Sequence, residues 1–174
     1  PALRPLSDQY DFVNDDFDAT DDNGHGTFVS GLITSDGEGG ENVPDSLGSA
    51  PDADIWVGKV LGSNGGGDLS NLVAAIDHVV AEGDADIISM SLGTGYPYLY
   101  KGKNCDRVYP ALTSAIKNAN AEGVTVVAAA GNDGTLGVGL PGCITNVITV
   151  GAVDSSGSPA GFTGTGRSVD VVAL

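Results

Sequence analysis

A histidine lies in a glycine-flanked segment that reads DNGHGTFVSG, residues 22–31. The apolar residues after His25 recur at helical spacing, which predicts a helix from His25 to about Thr34 with the histidine in its first turn, and Asn23 or Gly24 can cap its start. The glycines on either side, Gly24 and Gly26, would let another chain approach the imidazole closely. A neutral imidazole in that position can act as a general base toward a serine hydroxyl. Taken alone, a single histidine in such a pattern favours the alternative, a histidine near a helix start that has no chemical role.

A second candidate is Asn132, which follows Gly131 and the apolar run Val126 to Ala130. An asparagine directly after a buried strand can aim its side-chain NH₂ into a cleft, and such a donor stabilises a tetrahedral oxyanion. The alternative is an ordinary Asn-Asp turn that ends a strand. Residues 59–68 and 87–93 also place glycine-bearing backbone just past a strand, where it could pair with a peptide or simply connect strand to helix.

The elements that must position these residues alternate between strand and helix. Strands are predicted at 55–61, 87–91, 124–130 and 147–153, and helices at 25–34, 70–82 and 110–122. We expect Ser70 to cap the second helix, Gly83 and Gly123 to end the second and third, and residues 1–24, 35–53 and 62–68 to form loops. Apolar strands that alternate with helices predict an α/β fold in three layers, with a mostly parallel sheet flanked by helices. In such a sheet the site lies beyond the carboxyl ends of the strands, where residues 91–93 and 131–132 are predicted to fall.

Composition narrows the class of function. The chain has 174 residues of which 41% are hydrophobic, enough for a domain with a core. It carries 23 acidic against 7 basic residues, a net charge of −16, which disfavours nucleic acid and anionic membrane surfaces as partners. No apolar run is long enough to span a membrane. Cys105 and Cys143 have no zinc-site spacing, so a disulfide and two free thiols both remain open.

Taken together, the order and spacing of these motifs resemble the subtilisin-like serine peptidases, the subtilases, over almost the whole chain. The matching stretches are residues 11–14, the His25 motif, 57–67, 86–93, 123–133 and 146–154. Phe28 stands where this family often has a second histidine. The resemblance implies a serine endopeptidase with a Ser-His-Asp triad, in which His25 is the general base and Asn132 the oxyanion-hole side chain. The alternative is a catalytically inactive relative that serves as a binding or scaffold domain.

The resemblance also implies a peptide-binding cleft. Its residues are glycine, small or apolar, with one serine: Leu61, Gly65, Gly66, Gly67, Leu69, Ser91, Leu92, Gly93, Ala129, Ala130 and Gly131. The segment 65–67 would pair with the residues before the cleaved bond, and 91–93 would form the opposite strand. Residues 129–131 would wall the pocket for the residue just before the scissile bond. Small, apolar walls predict broad specificity with a bias toward apolar side chains.

In this family the triad aspartate and serine would lie upstream of residue 1 and downstream of residue 174. The chain is therefore expected to be an internal part of one catalytic domain, truncated at both ends and inactive by itself. Asp21 and Asp22 lie too close to His25 in sequence to be the triad aspartate.

Other properties follow from the same resemblance. It implies a Cys105–Cys143 disulfide beside the pocket, secretion, a polypeptide substrate and a monomeric enzyme. No cofactor is expected for catalysis. For the acidic loop two alternatives remain open: a structural calcium site with ligands Asp11, Asn14, Asp16, Asp18 and Thr20, or a solvated acidic loop.

Overall fold

The computed structural model describes residues 8–37, 47–83, 85–101 and 104–174. In chain order the elements are β1 (Asp8–Asp11), α1 (His25–Thr34), β2 (Trp56–Lys59), α2 (Leu69–Glu82), β3 (Ile87–Met90), α3 (Pro110–Ala121), β4 (Thr125–Ala129), a short 3₁₀ helix (Gly134–Leu136), β5 (Ile148–Ala152) and β6 (Val171–Ala173). The chain divides into two compact units, Pro1–Ala75 and Ile76–Leu174, and the division falls inside α2.

The first unit contains a parallel pair of strands. β1 lies beside β2 in a register that places Asp8 opposite Trp56 and Asp11 opposite Lys59. The prediction that residues 1–24 are all loop is wrong at β1, because the sequence DQYD has no apolar run to indicate a strand. Its residues are held in the sheet by the pairing with β2 and by an ion pair between Asp11 and Lys59.

The second unit contains a four-stranded sheet in the order β3-β4-β5-β6, in which every neighbouring pair is parallel. The predicted parallel sheet flanked by helices is thus confirmed. α3 packs against β4 and buries Leu112, Ile116 and Ala119 completely. These are the positions that the helical spacing predicts to face inward. β6 forms in a terminal segment for which the sequence analysis predicts no strand.

The predicted helices agree with the structure to within a residue at most ends. α2 begins at Leu69, and the backbone carbonyl of Asp68 accepts hydrogen bonds from the amides of Asn71 and Leu72. Asp68 therefore precedes the first turn, and the prediction that Ser70 caps this helix is wrong by two residues. Gly83 and Gly123 follow α2 and α3 with φ of 76° and 90°, the left-handed conformation that glycine adopts at helix ends.

The observed strands are shorter than the predicted ones. The predicted strand 55–61, for example, is ordered as β2 over Trp56–Lys59 only. The flanking apolar residues leave the ladder but stay partly or fully buried, as Val60 does at 7% exposure. Among the described residues no helix is long and apolar enough to cross a membrane.

Candidate active site

His25 is the first residue of α1, and its side chain is exposed. Gly24, immediately before it, has φ of 97°. This left-handed conformation is rare for residues with a side chain, so glycine is needed at this turn. Gly24 occupies the N-cap position but has no side chain with which to cap the helix. Another residue must supply the acceptor.

That acceptor is the carboxylate of Asp21. One oxygen, Oδ1, accepts hydrogen bonds from the amides of Asn23 at 3.0 Å and Gly24 at 2.8 Å. The other, Oδ2, accepts from the amide of Thr27 at 2.7 Å and from its hydroxyl at 2.6 Å. The Thr27 hydroxyl, followed by the Gly24 and Thr27 amides, holds the pKa of Asp21 far below its usual range. Asp21 is thus bonded to residues on both sides of His25.

Lys59 anchors the same loop to β2. Its ammonium group lies 3.1 Å from Asp11 Oδ2 and 3.0 Å from Asp22 Oδ2, and it donates to the carbonyl of Thr20 at 3.2 Å. The Asp11 side chain is fully buried and that of Lys59 is 11% exposed, so this pair is shielded from water. Sequence analysis does not single out Lys59. The available signal is a lysine inside a run of otherwise uncharged, mostly apolar residues predicted to be a buried strand.

The loop after β2 is a closed turn that contacts the segment before His25. The amide of Gly62 donates to the carbonyl of Gly66, and the amide of Gly65 donates to the carbonyl of Gly62. The amide of Gly66 donates to Asn64 Oδ1. Asn23 Nδ2 then donates to the carbonyl of Ser63 at 2.9 Å. The predicted base and the predicted glycine strand are therefore joined within the first unit.

Gly67 lies outside these turn bonds and packs tightly against the end of β2. A Cβ atom at this position would lie 2.1 Å from the carbonyl oxygen of Val60 and 3.0 Å from Cδ2 of Leu61. No side chain fits there, so glycine is required. Leu61 and Leu69, the predicted apolar subsite residues of this unit, are both half-buried.

The acidic loop is organised by its own hydrogen bonds. Asp11 Oδ1 accepts from the amides of Val13 and Asn14, and Oδ2 accepts from Asn14 Nδ2 in addition to Lys59. Burial alone would raise the pKa of Asp11, but these bonds hold it below its usual value. Asp18 Oδ1 accepts from the amide and hydroxyl of Thr20.

These bonds use both carboxylate oxygens of Asp11 and one carboxylate oxygen of Asp18. Among the described residues no three His, Cys, Asp or Glu side chains are grouped so that they could hold a metal ion. An ion bound by the predicted set would have to displace Lys59 and the amide donors from Asp11. The calcium site stays a prediction, with the ligands Asp11, Asn14, Asp16, Asp18 and Thr20.

Asn132 is exposed and follows β4 by three residues, after Gly131 with φ of 84°. The backbone on both sides of it is fixed. The amide of Ala130 donates to the carbonyl of Val150, and the carbonyl of Gly131 accepts from the amide of Gly164. Beyond Asn132, the amide of Gly134 donates to the carbonyl of Phe162.

Gly164 is a further residue that sequence analysis did not identify. A Cβ at this position would lie 2.0 Å from the carbonyl oxygen of Ala130 and 3.0 Å from that of Gly137. Only glycine fits this close approach. The signal in the sequence is the glycine-rich run Gly161 to Gly166, whose function in the fold is long-range and cannot be deduced from local pattern.

The segment Ser91–Gly93 follows β3 directly, and Ala129–Gly131 begins with the last residue of the neighbouring parallel strand β4. These predicted substrate residues therefore share the carboxyl edge of the second sheet. Ser91 and Gly93 are exposed, Leu92 and Ala129 are half-buried, and Ala130 is buried. Thr94 then bonds to Leu140, with its amide donating to the carbonyl at 2.8 Å and its hydroxyl accepting from the Leu140 amide at 2.9 Å.

Cys105 and Cys143 form a disulfide in the structure, with a Cα–Cα distance of 5.5 Å. Polar bonds surround it. Asp106 Oδ1 accepts from the amide of Thr145 at 3.0 Å and Oδ2 from its hydroxyl at 2.5 Å. Asn104 Nδ2 donates to the same hydroxyl oxygen at 2.6 Å. The bridge thus fixes the segment that carries Leu140 to the start of α3.

The predicted residues fall into two clusters, one in each unit. The histidine cluster contains His25, Leu61, Leu69, residues 65–67 and the acidic loop; the asparagine cluster contains Asn132, residues 91–93 and 129–131, and the disulfide. Each cluster is ordered by its own hydrogen bonds. That His25 and Asn132 face a common groove stays a prediction.

Comparison with known proteins gives one consistent result. The model of the Subtilase family matches residues 4–174. The chain is 38% identical to "Thermophilic serine proteinase" of Bacillus sp. (strain AK1), over 94% of this chain and 37% of that protein. It is also 38% identical to "Subtilisin DY" of Bacillus licheniformis, over 93% of this chain and 55% of that protein.

Solved structures agree. A cold-adapted subtilisin-like serine proteinase superposes with a TM-score of 0.75 at 32% identity, covering 94% of this chain and 53% of that one. Sphericase superposes with a TM-score of 0.70 at 35% identity, covering 90% and 52%. The chain spans about half the length, or less, of the relatives named here.

Proposed function

Because the chain belongs to the subtilase family, we propose that the protein containing it is a serine endopeptidase with His25 as its general base. The observation that carries the proposal is the exposed His25 at the first turn of α1, on a backbone fixed from both sides by Asp21. An imidazole held in this way can take the proton of a serine hydroxyl that attacks a peptide carbonyl, and later return it to the leaving amine. The serine and the triad aspartate are assigned to no residue of this chain.

Asn132 is proposed to stabilise the oxyanion. A donor contributes most when it is oriented before charge develops, because no reorganisation is then needed in the transition state. The bonds from Gly164 to Gly131 and from Gly134 to Phe162 fix the backbone on both sides of Asn132. Its exposed side chain therefore projects from a fixed backbone, from which its NH₂ group can donate a hydrogen bond to the oxyanion.

The peptide substrate is proposed to pair with backbone from both clusters. In the glycine loop the amides of Gly65 and Gly66 are used by the turn, so the pairing would fall to Gly67 and to carbonyls with a free lone pair. In the other cluster, Ser91 to Gly93 would supply the opposite strand and Ala129 to Gly131 the pocket wall. Profiling on a peptide library checks the expected bias toward apolar side chains, and a dominance of basic residues before the cut would contradict it.

We also propose secretion, a monomeric enzyme, and no nucleic acid or membrane partner. The disulfide supports an oxidising compartment, and the net charge of −16 disfavours polyanionic partners. Structural calcium is a secondary proposal. It predicts that a chelator lowers the melting temperature of the complete protein; an unchanged melting temperature contradicts it.

The activity is tested with a serine-reactive fluorophosphonate probe on the complete polypeptide that contains this sequence. We expect labelling of wild type and loss of labelling in His25→Ala, since the nucleophile then has no base. In Asn132→Ala we expect slower peptide hydrolysis; in subtilisin itself, loss of the oxyanion asparagine costs about 100- to 1000-fold in kcat. Absence of labelling in a folded wild-type protein would instead favour the inactive, scaffold-type relative.

A further inference from the structure

Asp21 contacts the backbone immediately before and after the predicted base. The residues that bond to its carboxylate are Asn23 and Gly24 on one side of His25 and Thr27 on the other. A Cβ at Gly26 would lie 3.7 Å from Asp21 Oδ2, so the carboxylate also runs alongside the residue that follows the histidine. One side chain thus spans the whole segment from residue 23 to residue 27.

The start of a helix is normally free to vary in conformation, because its first amides have no partner within the helix. In α1 the first helical hydrogen bond runs from the amide of Phe28 to the carbonyl of Gly24. The amide of Thr27 comes before that bond and is held by Asp21 alone among the interactions described. Since Gly24 and Gly26 add little stiffness of their own, the carboxylate restrains the backbone on both sides of His25, in addition to the bonds that Lys59 and Asn23 make to the same loop.

We propose that Asp21 is a positioning residue for catalysis, one that fixes the His25 imidazole relative to the nucleophile without touching the reacting atoms; this inference rests on the proposed role of His25. Proton transfer requires hydrogen-bond geometry, and a displacement of about 1 Å in a catalytic group costs about 100-fold in rate. The loss falls on kcat, because residues 20–27 are not among those assigned to peptide binding.

The variants separate positioning from folding. Asp21→Ala removes all four bonds. Asp21→Asn keeps an oxygen for the Asn23 and Gly24 amides but turns an NH₂ group toward the amide of Thr27, which also donates. Thr27→Val removes only the hydroxyl bond, and Thr27→Ser restores it.

The matched control is Asp154→Ala. Asp154 is an exposed carboxylate that accepts from the amides of Ser156 and Ser158 and from the hydroxyl of Ser156, in a turn with no assigned role in the site. Like Asp21, it accepts hydrogen bonds from nearby backbone amides and from a hydroxyl, here all on Oδ1. A purely structural effect of losing such bonds appears in both variants.

The measurement is kcat and KM on a peptide substrate, with the complete protein, well below the melting temperature of each variant found by circular dichroism. In Asp21→Ala we expect kcat to fall about 100-fold with KM changed less than about threefold, and in Asp21→Asn a smaller fall in kcat. We expect Thr27→Val to lower kcat severalfold with rescue by Thr27→Ser, and Asp154→Ala to keep the wild-type kcat.

Two results would overturn the inference: a kcat of folded Asp21→Ala close to wild type, or an equal fall in Asp154→Ala. If Asp21→Ala does not fold, the comparison of Thr27→Val with Thr27→Ser decides. An unchanged kcat in Thr27→Val then rejects the positioning role of Asp21. His25→Ala separates this from the proposed function. Full activity in His25→Ala defeats the proposed base itself, whereas its inactivity beside a fully active Asp21→Ala defeats only the positioning role.

Discussion

Asn23 Nδ2 donates a hydrogen bond to the carbonyl oxygen of Ser63 at 2.9 Å, and this bond joins the segment before His25 to the glycine loop after β2. Gly65, two residues beyond Ser63, would place a Cβ 3.7 Å from the same nitrogen. The loop proposed to bind peptide and the loop that carries the proposed base therefore share a contact that a change in either one will strain.

Replacement of Asn23 tests this contact. Asn23→Ala and Asn23→Asp both remove the donor, so we expect each to lower the free energy of unfolding by about 0.5–1.5 kcal/mol, the usual net worth of one hydrogen bond. Urea denaturation measures the change. Asn118→Ala, at an exposed position on α3, is the control and should not lower the stability, because alanine favours the helix more than asparagine does. A fully stable Asn23→Asp would argue against the bond.

Lys59→Met should lower the free energy of unfolding more than the Asn23 variants do. It leaves the fully buried Asp11 side chain without its cation, so we expect a clear fall in the free energy of unfolding. The Asp11→Asn, Lys59→Met double variant removes both charges and should recover part of the loss. Chemical denaturation of the two variants and wild type gives the comparison. Equal stability of the single and double variants would mean that the charge on Asp11 is not what Lys59 offsets.

The Cys105–Cys143 disulfide can be tested by counting free thiols and by measuring the free energy of unfolding. Titration of the denatured, unreduced protein should find no free thiol, and two thiols per chain would refute the bridge. The cysteines are separated by 38 residues. On the chain-entropy model a bridge of that span stabilises by about 3–4 kcal/mol, so Cys105→Ser with Cys143→Ser should lower the unfolding free energy by about this amount.

Asp106 is expected to contribute to the loss of folding stability at low pH. Burial alone would raise its pKa, but the hydroxyl and amide of Thr145, with the charge of Lys117, lower it below the ordinary value. A carboxyl whose pKa is lower in the folded state stabilises the protein above its unfolded pKa, and that contribution is lost as the pH falls through the folded pKa.

We therefore expect Asp106→Asn to flatten the loss of stability below about pH 4, and Thr145→Val to do so partly. Thermal melts across the acid range measure both slopes. An Asp106→Asn variant that loses stability with acid as steeply as wild type would contradict the assignment.

Local pattern predicted the helices well because their burial follows helical spacing directly. α3 is the clearest case, since Leu112, Ile116 and Ala119 face the core as their spacing requires. β1 escaped prediction because DQYD carries no strand signal, and its place in the sheet depends on β2 and on Lys59, both far along the chain. The local periodicity of a sequence does not indicate long-range strand pairing of this kind.

Part of the candidate site could likewise be predicted from local pattern, and part of it could not. The His25 and Asn132 motifs could be recognised because residue type, flanking glycines and strand context coincide in a few consecutive residues. The residues that hold these two motifs in place could not be recognised in this way. The sequence marks Asp21 only as an acidic residue near His25, and its bonds to Gly24 and Thr27 depend on a loop conformation that the sequence does not specify. Gly164 gives no local sign of its contact with Ala130.

The absence of a side chain at Gly164 has a practical consequence for anyone who redesigns this protein. Random mutagenesis aimed at the pocket would not include a position so far along the chain, yet even an alanine there would collide with the oxygen of Ala130 and push apart the two backbones that hold Asn132. Libraries that vary residues 161–166 should therefore keep this glycine fixed, because a side chain there would disturb the backbone around Asn132 whatever its effect on specificity.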